Sequence, residues 1–132
     1  MRATLRRALQ RHGYRVCAAA DPRRALQVVK RARPDLVMLD LKLRAENAWD
    51  LFGRLTHKWP SLPVVVISPT PNQLFTALAA GVGALLETPL QIPRMLQAVS
   101  HLLCETVEDR LERVAGKLAQ FHYQPASPQP SI

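Results

Sequence analysis

Two unbroken apolar runs constrain this chain most. Leu36-Val37-Met38-Leu39 leads straight into Asp40, and Val64-Val65-Val66-Ile67 leads into Ser68. Neither run alternates apolar with polar residues. A strand with one wet face alternates, whereas a short continuous run suits a strand covered on both faces, as in a parallel sheet between helices. Asp40 then stands at the C-terminal rim of its strand, the edge where open α/β sheets place ligands and chemistry. Taken alone, such a run is equally a core strand that ends in a helix-capping aspartate.

The rest of the chain alternates helical and extended patterns. Ala3 to Arg11 reads as a helix with Leu5 and Leu9 on one face, closed by His12-Gly13, where Gly13 suits a left-handed cap. Tyr14 to Ala18 reads as a short strand. Asp21-Pro22 then starts a helix, because Asp21 can accept from free amides and proline fits the first helical position. Ala25, Leu26 and Val29 form its apolar face, Arg23, Arg24, Lys30, Arg31 and Arg33 point outward, and Pro34 stops it.

After Asp40 comes a loop over 42–47. A helix follows from about Ala48 to Trp59, and a proline-bounded turn leads to the Val64–Ser68 strand. A short helix from Gln73 to Ala80 ends at Gly81, and Ala84 to Glu87 forms a last strand before Thr88-Pro89. From Ile92 to Phe121 one apolar stripe steps by threes and fours through Leu96, Val99, Leu103, Val107, Leu111, Val114 and Leu118. The expectation is one long helix, about 45 Å at 1.5 Å per residue, whose second half seeks a partner or a coiled coil. Gln124 to Ile132 is rich in Pro, Ser and Gln and is expected to be disordered. The order of elements predicts a three-layer α/β/α architecture around a parallel sheet.

Composition narrows the function. At 132 residues the chain fits one domain, with 48% apolar residues and no run approaching a membrane span. No signal core follows the basic start, and Cys17 and Cys104 lack metal-type spacing, so a cytoplasmic protein with reduced thiols is expected. His12, His57, His101 and His122 are scattered, and no zinc-type site is expected. Residues 1–60 carry 14 Lys+Arg against 5 Asp+Glu. That imbalance fits nucleic acid, yet no aromatic residues interleave with the arginines and no reading motif is present, so solvated helix faces are the preferred reading. No nucleophile–base spacing, phosphate-cradling glycine loop or metal cluster suggests an enzyme.

These elements resemble the receiver domain of bacterial two-component response regulators (the CheY-like family). The resemblance covers about residues 1–104. It rests on Gly13-Tyr14-Arg15-Val16, on Ala25-Leu26, on Pro34 to Leu41, on Pro63 to Ser68, and on Gly81 with Thr88-Pro89-Leu90. It implies a flavodoxin-like sheet and a phosphorelay function with a sensor histidine kinase or phosphotransfer protein as partner. In this family a carboxylate accepts a phosphoryl group while a divalent ion and a lysine offset the crowded negative charge. By position, Asp40 resembles the phosphoacceptor, Ser68 the switch hydroxyl, and Pro89 the often cis proline that follows the lysine.

The departures are as informative. Thr88 occupies the lysine position, Leu85 the aromatic switch position, and Arg44 the place of the proline that follows the acceptor loop. The family opens with a buried strand ending in an acidic pair that holds the metal. This chain begins inside the following helix, so the expectation is an N-terminally truncated sheet of about four strands. No metal site is expected from the residues present, and magnesium enters only if an upstream acidic pair exists in the full-length protein. The expected layout is a receiver-like domain over 1–104, a helical extension over 105–123 and a disordered tail over 124–132. The alternative function is a phosphorylation-independent interaction module whose C-terminal stripe makes a homodimer or docks on another protein.

Overall fold

The computed structural model describes residues 2–42, 45–116 and 121–126. The chain divides into two compact units, Met1–Pro34 and Asp35–Ile132.

The first unit is two helices joined by an irregular segment. Helix α1 (Arg2–Arg11) keeps Leu9 buried. Gly13 follows it at φ +94°, and the Tyr14 N–H donates back to the Leu9 carbonyl at 3.1 Å. Helix α2 (Pro22–Ala32) starts as the sequence predicts, with the Arg24 N–H donating to Asp21 Oδ1 at 2.9 Å and Pro22 in the first turn. Its C-cap, Arg33, takes a left-handed conformation (φ 46°, ψ 63°) and donates its N–H to the Val29 carbonyl. Only glycine adopts that region without a Cβ penalty. Arg33→Gly is therefore expected to stabilise the chain by about 0.5–1 kcal/mol, the relief being partly offset by the freer unfolded glycine. Chemical denaturation would read this as a higher midpoint at unchanged slope.

Tyr14–Ala18 is not a strand, contrary to expectation. It makes no sheet pairing among the described residues, and Arg15, Cys17 and Ala18 are exposed. An extended segment becomes a strand only when a neighbour takes its backbone groups.

The second unit holds the sheet. Strands β1 (Val37–Asp40), β2 (Val64–Ser68), β3 (Ala84–Glu87) and β4 (His122–Gln124) run parallel in that spatial order. β2 and β3 are buried along their whole length, as their unbroken apolar character requires. Between the strands run α3 (Ala45–Lys58), α4 (Leu74–Ala80), α5 (Ile92–Cys104) and α6 (Val107–Val114). The core includes Leu51, Phe52 and Leu55 of α3, Ala77 of α4, and Met95, Ala98, Val99 and Leu102 of α5.

The helix expected over 92–121 is broken into two, with a strand following at His122; residues 117–120, and with them Leu118 of the stripe, lie outside the described ones. Glu105 turns extended at ψ 153°, and Thr106 caps α6 by accepting the Asp109 N–H on its Oγ1 at 3.1 Å. A Thr followed by acidic residues in the first turn is a helix start, and here it overrides a stripe that continues in register across the break. Arg110 donates from one guanidinium nitrogen to the Leu102 and Leu103 carbonyls, covering the open end of α5. Arg113 folds its guanidinium onto Glu105 in a two-pronged pair of 2.6 and 2.7 Å. Val107 and Leu111 of the stripe remain exposed. Thus the segment expected as a helical extension over 105–123 contains α6 and the start of β4. Gln124, placed in the expected tail, ends β4, and residues 127–132 lie outside the described ones.

Candidate functional site

The C-terminal ends of β1, β2 and β3 are tied side by side. The Leu41 N–H donates to the Ile67 carbonyl at 2.8 Å, and the Thr88 N–H donates to the Ser68 carbonyl at 2.9 Å. Parallel pairing thereby brings Asp40, Ser68 and Thr88 to one rim of the sheet, although 47 residues of chain separate the first from the last. The rim is the C-terminal edge at which open α/β sheets do their chemistry.

Asp40 is exposed, and its Oδ1 accepts the Lys42 N–H at 2.9 Å. That local turn fixes the carboxylate at the strand end. Among the described residues no lysine or arginine forms an ion pair with it. Arg44 lies outside the described residues.

Ser68 is fully buried. Its Oγ donates to the Thr70 carbonyl at 2.8 Å and accepts the Thr70 N–H at 3.1 Å. A polar chain continues from there. Thr70 Oγ1 donates to Asn72 Oδ1 at 2.8 Å, Gln73 Nε2 donates to the same oxygen at 3.2 Å, and Trp49 Nε1 donates to Gln73 Oε1 at 3.1 Å. The hydroxyl is thus bound into the loop after β2, and that loop is fastened to α3.

Thr88 is half-buried, and the Thr88–Pro89 peptide bond is cis. Leu85 is buried within β3, in register with Val66 on one side and Tyr123 on the other.

Sequence reasoning missed Glu87 and Tyr123. Glu87 is buried at the end of β3, in register with Ser68, and its Oε1 accepts the Tyr123 hydroxyl at 2.9 Å. Its Oε2 is buried with no hydrogen-bond partner among the described residues. The hydrogen bond to Glu87 pushes the Tyr123 phenol above the usual tyrosine range. An acid ending an otherwise apolar strand was the available signal, but its partner arrives from β4, which carries almost no strand signature.

Asp40 is level with Ile67 and Leu86, so the buried Glu87 lies one residue further along, two strands away, and successive strand residues face opposite sides of the sheet. Among the described residues no group of three or more His, Cys, Asp or Glu could hold a metal ion. A hard cation such as magnesium needs several oxygen ligands or retained waters beside anionic groups. The described residues around Asp40 do not supply that set.

Comparison with known proteins agrees with this geometry. The family model described as the response regulator receiver domain matches residues 1–100. The chain belongs to the response regulator receiver domain family. Response regulator MprA of Mycobacterium leprae is 28% identical over 130 residues, covering 96% of this chain and 57% of that protein. The DNA-binding transcriptional regulator NtrC of a Bradyrhizobium strain is 32% identical over 111 residues, 82% of this chain and 23% of that protein. The crystal structure of the receiver domain of NtrX from Brucella abortus superposes with a TM-score of 0.72 at 26% identity, covering 80% of this chain and 91% of that domain. The receiver chain thus spans only about a quarter to just over half the length of the curated relatives it matches. The four parallel strands among the described residues, with helices between them, match the flavodoxin-like receiver fold of these solved structures. Among the described residues no helix is long and apolar enough to cross a membrane.

Proposed function

We propose that this chain is a cytoplasmic receiver module of a phosphorelay, with Asp40 at the phosphoacceptor position, whose own residues no longer support efficient phosphoryl transfer. A sensor histidine kinase or phosphotransfer protein is its partner class. The module acts by docking rather than as an enzyme.

The observation that carries this reading is the composition of the rim beside Asp40. A phosphoryl transfer gathers several anionic oxygens, and fixed positive charge stabilises them. Where the family resemblance implies a lysine, Thr88 stands next to the buried carboxylate of Glu87. The hydroxyl at the switch position, Ser68, is engaged on both its donor and acceptor sides by Thr70. To turn toward a phosphoryl group it would have to give up both bonds, each worth about 0.5–1.5 kcal/mol net. Asp40 itself remains exposed and held at the strand end, which suits a recognition surface that keeps the fold's layout.

The test is incubation of the chain with acetyl phosphate and magnesium, read by intact mass. The expected result is no phosphoryl adduct that depends on Asp40. An adduct present in the wild type and lost in Asp40→Asn would show a working acceptor and overturn the proposal.

A further inference from the structure

The C-terminal segment brings together two imidazoles for which the receiver reading has no use. His101 is exposed on α5, and His122 is the half-buried first residue of β4. Twenty residues separate them in the chain, yet their ring centroids stand 5.4 Å apart with planes inclined at 56°. The backbone fixes His122, whose N–H donates to the Gly83 carbonyl at 3.1 Å. Its Nε2 is buried and has no hydrogen-bond partner among the described residues. A buried polar atom without a partner is costly, and a ligand that accepts its lone pair removes the cost.

The spacing is one that two imidazoles sharing an ion would have. Two imidazole nitrogens bound to one tetrahedral ion lie about 2.1 Å from it, and each ring centre lies about 1.2 Å behind its nitrogen, which places the centroids about 5.4 Å apart. We propose that His101 and His122 form a two-histidine site for a borderline divalent ion of the zinc or nickel class, fastening β4 to α5. Imidazole donors select such ions over magnesium or calcium, which take oxygen. Water fills the remaining positions, since no third His, Cys, Asp or Glu is grouped with the pair among the described residues. Glu105, one turn beyond His101, is committed to Arg113, so the nearby charges offset one another. The site is separate from the rim at Asp40 and does not depend on how that rim is read.

The test uses the full chain, stripped with chelator and titrated with zinc or nickel near neutral pH. Calorimetry is expected to show one saturable site, and the thermal midpoint is expected to rise with metal concentration because the ion binds the folded state. His101→Ala and His122→Ala should each weaken binding by roughly tenfold or more. Cys104→Ser and His57→Ala should leave it unchanged. Should His122→Ala fail to fold, His101→Ala carries the test, because that side chain is exposed. As a second readout, paramagnetic nickel should broaden the ring signals of His101 and His122 first. Absence of saturable binding, unchanged affinity in His101→Ala, or first broadening at His12 or His57 would overturn the proposal.

Discussion

Arg113→Ala is expected to destabilise the chain by about 3–5 kcal/mol. The guanidinium is 5% exposed and the Glu105 carboxylate 3%, and their two contacts are 2.6 and 2.7 Å. Removing the arginine strands a buried carboxylate, and that stranded charge, more than the lost attraction, sets the magnitude. The double change Arg113→Met with Glu105→Leu should therefore recover most of the loss, since two well-packed apolar groups need no partner. Urea denaturation of the two variants checks both statements. Because the pair bridges the start and end of α6, hydrogen exchange in Arg113→Ala should quicken first in His122–Gln124. A uniform acceleration would point instead to global loss.

Gly81→Ala is expected to cost about 2–4 kcal/mol, from two separable causes. Gly81 closes α4 at φ +83°, which penalises any Cβ. A Cβ there would also meet the Arg113 carbonyl oxygen at 2.7 Å and the Val114 Cα at 3.0 Å, both backbone atoms that no rotamer change can move. Gly13 separates the two causes. It has φ +94° with nothing within 4 Å of a built Cβ, so Gly13→Ala should cost only the conformational part, about 1 kcal/mol. Equal losses at the two positions would mean that α6 does not lie against Gly81 in solution.

The glycine contact explains why part of this fold was legible in the sequence and part was not. Val64–Ser68 and Ala84–Glu87 could be read because burial on both faces leaves a continuous apolar run, and Val37–Asp40 carries the same run although Val37 and Met38 are only half-buried. The start of α2 was legible because Asp21-Pro22 acts locally. By contrast, α6 and β4 are defined by what they meet. The Arg113–Glu105 spacing of eight residues corresponds to no contact within one helix, so the pair becomes visible only once the chain breaks at Thr106. His122-Tyr123-Gln124 has a single strong strand former and gains its status from β3, far away in sequence. Tyr14–Ala18 shows the converse, a segment with strand character and no pairing among the described residues.

The candidate site divides in the same way. Position placed Asp40, Ser68 and Thr88 at strand ends, and sheet register brings those ends together. What position could not convey is where the Ser68 hydroxyl points or that Glu87 is bonded to Tyr123. The engagement of Ser68 by Thr70 is a short-range serine turn, readable in principle from Ser68-Pro69-Thr70. The Glu87–Tyr123 bond is long-range and depends on β4.

Whether the rim around Asp40 keeps the receiver layout without its phosphoryl chemistry, as proposed, is decided by a beryllofluoride titration with magnesium, followed by amide spectra. Beryllofluoride occupies the place of a phosphoryl group on a competent aspartate. No saturable shifts are expected at Asp40, Lys42, Ser68, Thr70 or Thr88. Saturable shifts at these five residues, abolished by Asp40→Asn, would contradict the proposal.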